Sequence, residues 1–355
     1  MLEILISSNA MAMKDFIMRW GGNFSTITKL PSPFADVALS YIDIGARGGP
    51  PQNWLKLARQ MNYLCFEPDP IEAESLRTAF TENPQLQAIV SERALGAASG
   101  TATLYLTHSR PCSSLLKPNE ALFNMFSLRN LLKVEKELSI PIVTLDSELK
   151  RLGSVGDYIK ADVQGYELEV LRGGNEALSA AIGCELEVGF IELYKNQPLF
   201  SEIDQWMRSK GFFLADLERV WWRRASTPPE IQQRGSLTYG DAIYLKNDVT
   251  NPRDRTVAIK SAIICIATGL HELAYEVVLE ARKNRLLSLE ETENFHAWLR
   301  HHQRSTTFWY HLAKALSGLP GRQTLGRLLS LWGRAFQGNS DLGSDAASWN
   351  RRTSW

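Results

Sequence analysis

From residue 38 to residue 247 the chain alternates strand-like and helix-like segments, separated by glycine, proline or polar loops. The strand-like runs are ALSYIDIG (38–45), NYLCFEP (62–68), LQAIV (86–90), DYIKADV (157–163), IGCELEVGFI (182–191) and DAIYLKN (241–247). The helix-like runs are PPQNWLKLARQM (50–61), IEAESLRTAFTEN (71–83), YELEVLRGGNEALSAA (166–181) and FSEIDQWMRSKG (200–211). In the first of these, Trp54, Leu57, Ala58 and Met61 recur at one-face helical spacing. GTATLYL (100–106) alternates like a half-exposed hairpin strand, and FFLADLERVWWRR (212–224) reads as a strand pair or hairpin. Apolar strands alternating with helices leave few solutions. The pattern predicts an α/β fold with a doubly wound, mostly parallel sheet, helices on both faces and right-handed crossovers.

The 355 residues, 44% hydrophobic, suffice for one large α/β domain plus a smaller unit. The division expected is a helical lead-in and linker over 1–37, the α/β domain over 38–247, a helical accessory region over 248–340 and a frayed tail over 341–355. In the accessory region Gly269 is a helix stop, and Ser288 with Glu291 forms a capping box. Leu325, Leu328, Leu329 and Trp332 make an apolar stripe, which either packs on the chain's own domain or serves as a helix that meets a partner, a second copy or a membrane surface. Lys and Arg balance Asp and Glu at 39 each, which argues against bulk nucleic-acid binding. No stretch reaches the ~18–20 apolar residues of a membrane span. The N-terminus lacks the basic region of a secretory signal. Cys65, Cys112, Cys184 and Cys265 lie far apart, so neither a disulfide framework nor a zinc site is expected and a reducing, cytoplasmic setting is the default. No cluster has metal-ligand spacing; His301 and His302 are adjacent and face apart on a helix.

Three stretches carry chemistry. The first strand ends in Asp43, followed by Gly45, Gly48 and Gly49. Glycines there let the backbone approach a ligand at the carboxyl ends of the strands. The loop is neither G-x-G-x-x-G nor a Walker loop. Asp43 would repel a pyrophosphate and favour a cation, and S-adenosylmethionine offers an α-ammonium and a sulfonium without phosphate. Glu67 ends the second strand, 24 residues after Asp43, where an acid accepts bonds from ribose hydroxyls. In DYIKADVQGYELEVLRGG, Lys160 and Asp162 share one strand face, and a charged pair there is costly unless paired or functional. Glu167 falls in a first helical turn, where a carboxylate suits the dipole whatever else it does. Glu185 and Glu187 also share a face. His108, Ser113 and Ser114 lie in the loop THSRPCSS.

The ordered set YIDIGARGG, CFEPDP, RALGAASGTATLYL, CSSL, IVTLD, IKADVQGYELEVLRGG and GFIELYKNQPLF resembles FkbM-type methyltransferases, over about residues 38–247. That family implies a Rossmann-like, seven-stranded sheet and S-adenosylmethionine as cofactor. Carried onto this sequence, it implies cofactor contacts at Asp43, Gly45, Ala46, Gly48, Glu67, Pro68, Ala94, Ser114 and Asp162. It also implies O-methylation of a hydroxyl on a sugar, a glycan or another small metabolite. Candidates for the general base are Asp162, Glu187 and His108. Two positions depart from the family pattern: Arg47 replaces the amide of the G-A-N-x-G loop, and Gln164 replaces the central acid of D-x-E-G-x-E. They keep open a degenerate binding module with the helical tail as its interface. A nicotinamide-dependent oxidoreductase or epimerase is the other alternative, disfavoured by the missing G-x-G-x-x-G.

Overall fold

The computed structural model describes residues 29–126, 132–228, 235–301 and 342–344. The strands are β1 (Leu39–Ile44), β2 (Met61–Phe66), β3 (Gln87–Ser91), β4 (Ala94–Leu95), β5 (Gly100–Thr107), β6 (Val134–Val143), β7 (Tyr158–Ala161), β8 (Gly183–Gly189), β9 (Phe212–Trp222), β10 (Ser236–Lys246) and β11 (Leu342–Ser344). The main sheet runs β9-β10-β8-β7-β1-β2-β3, seven strands, with the short β11 added beside β9. All neighbours from β8 to β3 pair in parallel, and β10 runs antiparallel to both β8 and β9. The chain winds outward from β1 to β3, then returns to β7 on the other side of β1. This switch point is where a doubly wound sheet opens a crevice. A second sheet, β4-β6-β5, stands beside that crevice.

Strand alternation divides the core in two. Tyr41, Tyr63 and Tyr158 face one layer, while Ile42, Leu64 and Ile159 face the other. The second layer is closed in part by Leu168 and Leu171 of the helix Glu167–Arg172 and by Ile203 and Met207 of the helix Phe200–Ser209. The first layer receives the C-terminal helices. Helix Arg255–Ala267 is apolar almost all round, with Ile259, Ala262, Ile263 and Ile266 in the same core as the three tyrosines. Lys260 on this helix donates to both oxygens of Asp157 at 2.8 Å, and Asp157 also accepts the Ser40 N–H at 2.8 Å. Gly269 ends the helix with φ +80°, and the helix His271–Lys283 follows. Ser288 and Glu291 cap the next helical run reciprocally: the Glu291 N–H donates to Ser288 Oγ at 3.1 Å, and the Ser288 N–H to Glu291 Oε2 at 2.8 Å.

Local expectations differ from the structure at four places. The helix expected over 50–61 is one turn, Gln52–Leu55, followed by a 3-10 turn at Ala58–Gln60. Trp54 stacks on Tyr41 at 4.5 Å and meets Tyr158 at 4.7 Å, and the chain must re-enter the sheet at Met61 opposite Leu39. The helix expected over 166–181 breaks at Gly173-Gly174, where Gly174 leaves the helical conformation at φ −124°, ψ 38°, and a Cβ on Gly173 would lie 2.1 Å from the Gly96 carbonyl oxygen. The run 212–224 is one long strand, and its partner β10 begins at Ser236, ahead of the expected 241. Strand β6 and the helix Leu145–Leu152 are not among the expected elements, although Leu138, Ile140 and Ile142 alternate and Leu145, Leu149 and Leu152 keep helical spacing. The helical lead-in before residue 29, the stripe from Leu325 to Trp332 and the tail after 344 lie outside the described residues.

Candidate active site

At the end of β1, Gly45 adopts φ +77° and a Cβ on it would stand 1.9 Å from the Asp162 carbonyl oxygen. Only glycine lets β1 and β7 approach so closely at the switch point. The N–H groups of Gly45 and Ala46 both donate to the Phe66 carbonyl, at 2.9 and 3.3 Å. Arg47 binds Asp69 at 3.4 Å and Glu72 at 3.1 Å, and the Gly48 N–H donates to Glu72 at 3.3 Å. The residue that departs from the family amide therefore straps the glycine loop to the helix Pro70–Thr81, which Asp69 caps.

Beyond these strand ends lies a cleft of about 720 Å³, counted with the solvent space at its open mouth. Of the residues expected at the cofactor, Gly45, Glu67, Pro68, Ala94, Ser114 and Asp162 line it. Asp43, Ala46 and Gly48 do not line the cleft. Asp43 is buried, accepts the Tyr63 hydroxyl at 2.6 Å and faces Lys160 Nζ at 3.6 Å; burial pushes its carboxyl above the usual range. Glu67 accepts the Asp69 N–H at 2.9 Å, which fixes the carboxylate, and burial raises it too. Leu104, Leu106 and Pro111, around strand β5, form an apolar wall.

Asp162 on the cleft wall belongs to an acid cluster that extends behind it. One carboxylate oxygen from each of Asp162, Glu167 and Glu187 lies within 4.8 Å of the others, a convergence that residue spacing did not reveal. Gln164 donates to Asp162 Oδ1 at 2.8 Å and to Glu187 Oε1 at 3.1 Å. Glu167 turns back to accept the N–H groups of Val163 (2.8 Å) and Gly165 (3.1 Å), so it shapes the loop as well as starting a helix. Burial, with Asp162 nearby, lifts Glu167 to about 7; burial and then the charges of Asp162 and Glu167 lift Glu187 well above the carboxylate range. Lys160 sits 3.9 Å from Asp162. Burial works against its charge, but Asp43, Asp162, Glu185 and Asp241 outweigh burial and keep the ammonium protonated.

The three base candidates are therefore placed differently. Asp162 borders the cleft, Glu187 stands behind it across Gln164, and His108 is exposed with Nδ1 2.8 Å from Glu135, away from the lining. Tyr63, the partner of Asp43, and Tyr194, the partner of Gln164, join the site from outside the expected residues. Tyr63 had a signal in its place on the same strand face as Cys65; Tyr194 had none.

A switch-point crevice, a glycine loop without a phosphate grip and a buried carboxylate at the end of β2 suit a nucleoside-type cofactor. The model of the methyltransferase FkbM domain matches residues 43–214, and this part of the chain is a domain of that family. Solved structures share the likeness at low levels. FkbM methyltransferase from Methylobacillus flagellatus KT is 13% identical, with 61% of this chain and 48% of that chain covered and a TM-score of 0.34. This chain thus spans about half the length of that relative. Precorrin-6y C5,15-methyltransferase from Geobacter metallireducens GS-15 is 11% identical over 59% and 81%, at 0.30. The N-terminal domain of EvdMO1 with SAH bound is 10% identical over 61% and 82%, at 0.30. No curated protein matches the chain in sequence. S-adenosylmethionine is the cofactor of this methyltransferase family, and the site fits it. Gly45 brings the glycine loop to the cleft wall, the Glu67 carboxylate borders the same space where a ligand hydroxyl could meet it, and Asp162 suits a cationic methyl donor. No helix among the described residues is long and apolar enough to cross a membrane.

Proposed function

We propose that the chain moves the methyl group of S-adenosylmethionine to a hydroxyl oxygen of a sugar, a glycan or another small metabolite. The observation that carries this reading is Asp162, a carboxylate on the cleft wall beside the glycine loop, held by Gln164 and facing Lys160. The cofactor supplies an electrophilic methyl on a good leaving group. The protein's part is alignment and proton removal. Glu67 would hold the ribose end, the loop at Gly45 would border the methionyl end, and Asp162 would accept the proton of the attacking hydroxyl. Ser114 borders the same space, but its Oγ donates to the Gln164 carbonyl at 2.8 Å, which places it in support of the loop. The acceptor enters past strand β5. The helical region after residue 248 buttresses the sheet and offers the surface for any second copy. Four free cysteines fit work in a reducing cytoplasm.

The test is transfer of labelled methyl from S-adenosylmethionine to a panel of hydroxyl-bearing sugars and metabolites. Asp162→Asn should lower single-turnover transfer by about 10²–10⁴-fold, with a much smaller change in cofactor affinity. Equal transfer by the folded variant would remove Asp162 as the base; methyl recovered on nitrogen or carbon would overturn O-methylation.

A further inference from the structure

Gln164 stands at the centre of the acid cluster. Both hydrogens of its amide end on carboxylates, one on Asp162 and one on Glu187, and its Oε1 lies 2.9 Å from the Tyr194 hydroxyl. The reverse amide orientation would set an oxygen 2.8 Å from the Asp162 carboxylate, which favours the orientation described. The backbone is equally committed. Gln164 adopts φ +58°, a left-handed conformation unfavourable for a residue with a side chain, and the Ser114 hydroxyl pins its carbonyl at 2.8 Å. Gly165 follows at φ +96°, packed against Gln197 and Tyr194.

Three carboxylates this close need protons, donors or a cation between them. Glu167 has two backbone N–H groups. Asp162 and Glu187 share Gln164. We propose that Gln164 is a positioning residue: its amide fixes Asp162 against the cleft by hydrogen bonds that take the place of a bridging divalent cation. This rests on the reading of Asp162 as a site residue. With Glu at 164 the two donors would vanish and a fourth carboxylate would join the cluster, an all-oxygen set suited to Mg²⁺ or Mn²⁺.

The experiment titrates the full chain with Mn²⁺ alone, following free Mn²⁺ by electron paramagnetic resonance, and measures S-adenosylhomocysteine affinity by calorimetry. The native chain should bind no stoichiometric Mn²⁺. Gln164→Glu should bind one equivalent, at least about tenfold more weakly once Glu187→Gln is added, and its S-adenosylhomocysteine affinity should rise with Mn²⁺. Gln164→Met, which keeps the bulk and loses the donors, should bind S-adenosylhomocysteine about tenfold more weakly, with no recovery on Mn²⁺. A folded Gln164→Glu that gains no Mn²⁺ overturns the proposal, as does a native chain whose bound Mn²⁺ is lost in Glu187→Gln. Should Gln164→Glu fail to fold, native affinity in Gln164→Met overturns it. Gain of Mn²⁺ by Gln164→Glu in a chain that never binds S-adenosylhomocysteine would leave the bridging role intact and sink the methyltransferase reading instead.

Discussion

The Asp162 carbonyl oxygen occupies the place, 1.9 Å away, that a Cβ on Gly45 would need. Two strands adjacent at the switch point thus touch backbone to backbone, and the floor of the cleft is that contact. Gly45→Ala meets a carbonyl that cannot move without shifting β7, and it also opposes φ +77°. The expected cost is more than about 2 kcal/mol, with S-adenosylmethionine binding lost. Thermal melting and calorimetry on the same preparation check this; a variant that melts and binds like the native chain contradicts it.

The proposed ribose acceptor is Glu67. Its carboxylate is buried, raised by that burial and oriented by the Asp69 N–H, so a ligand hydroxyl would meet a fixed acceptor. Glu67→Ala should weaken S-adenosylmethionine by about 1.5–3 kcal/mol, roughly tenfold to a hundredfold. Unchanged affinity in a folded variant would move the ribose elsewhere.

The parts of this site readable in the sequence are those that backbone periodicity dictates. Strand ends placed Gly45, Glu67 and Asp162 on one side of the sheet, and period two placed Lys160 beside Asp162. Contacts between distant segments were not readable. Nothing near position 164 says that Tyr194 and Glu187 will meet its side chain, since the pairing of β8 beside β7 decides it. The opening helix failed for the same reason. Its helical period is real, but Trp54 is claimed by Tyr41 and Tyr158, and tertiary packing outweighs propensity there.

The acid cluster has a stability signature. Glu167 rises from 4.5 to about 7 on folding, and Glu187 rises well above 4.5. Both folded values exceed the unfolded ones, so the native state holds more protons over this window. Their contribution is complete below about pH 4.5 and is lost as pH climbs through 7 and beyond. Glu187→Gln keeps an acceptor for Gln164 and removes the buried charge. Its melting temperature should exceed the native one by about 2–4 °C at pH 8 and converge on it near pH 4.5. A constant difference across pH would contradict the assignment.

Truncation at residue 250 should yield insoluble chain. It strips Ile259, Ala262, Ile263 and Ile266 from the layer that covers Tyr41, Tyr63 and Tyr158, and leaves Asp157 without Lys260. Soluble expression and gel filtration measure this. A monomeric truncated core that still binds S-adenosylmethionine would show the helical region to be dispensable.

The most direct test of the whole account is the crystal structure of the full chain with S-adenosylhomocysteine. The account predicts the ribose hydroxyls on the Glu67 carboxylate, the adenine between Ala94 and the Leu104–Leu106 wall, and the sulfur facing Asp162 above Gly45. A ligand seated outside this cleft, or turned so that its sulfur lies away from Asp162, would contradict it.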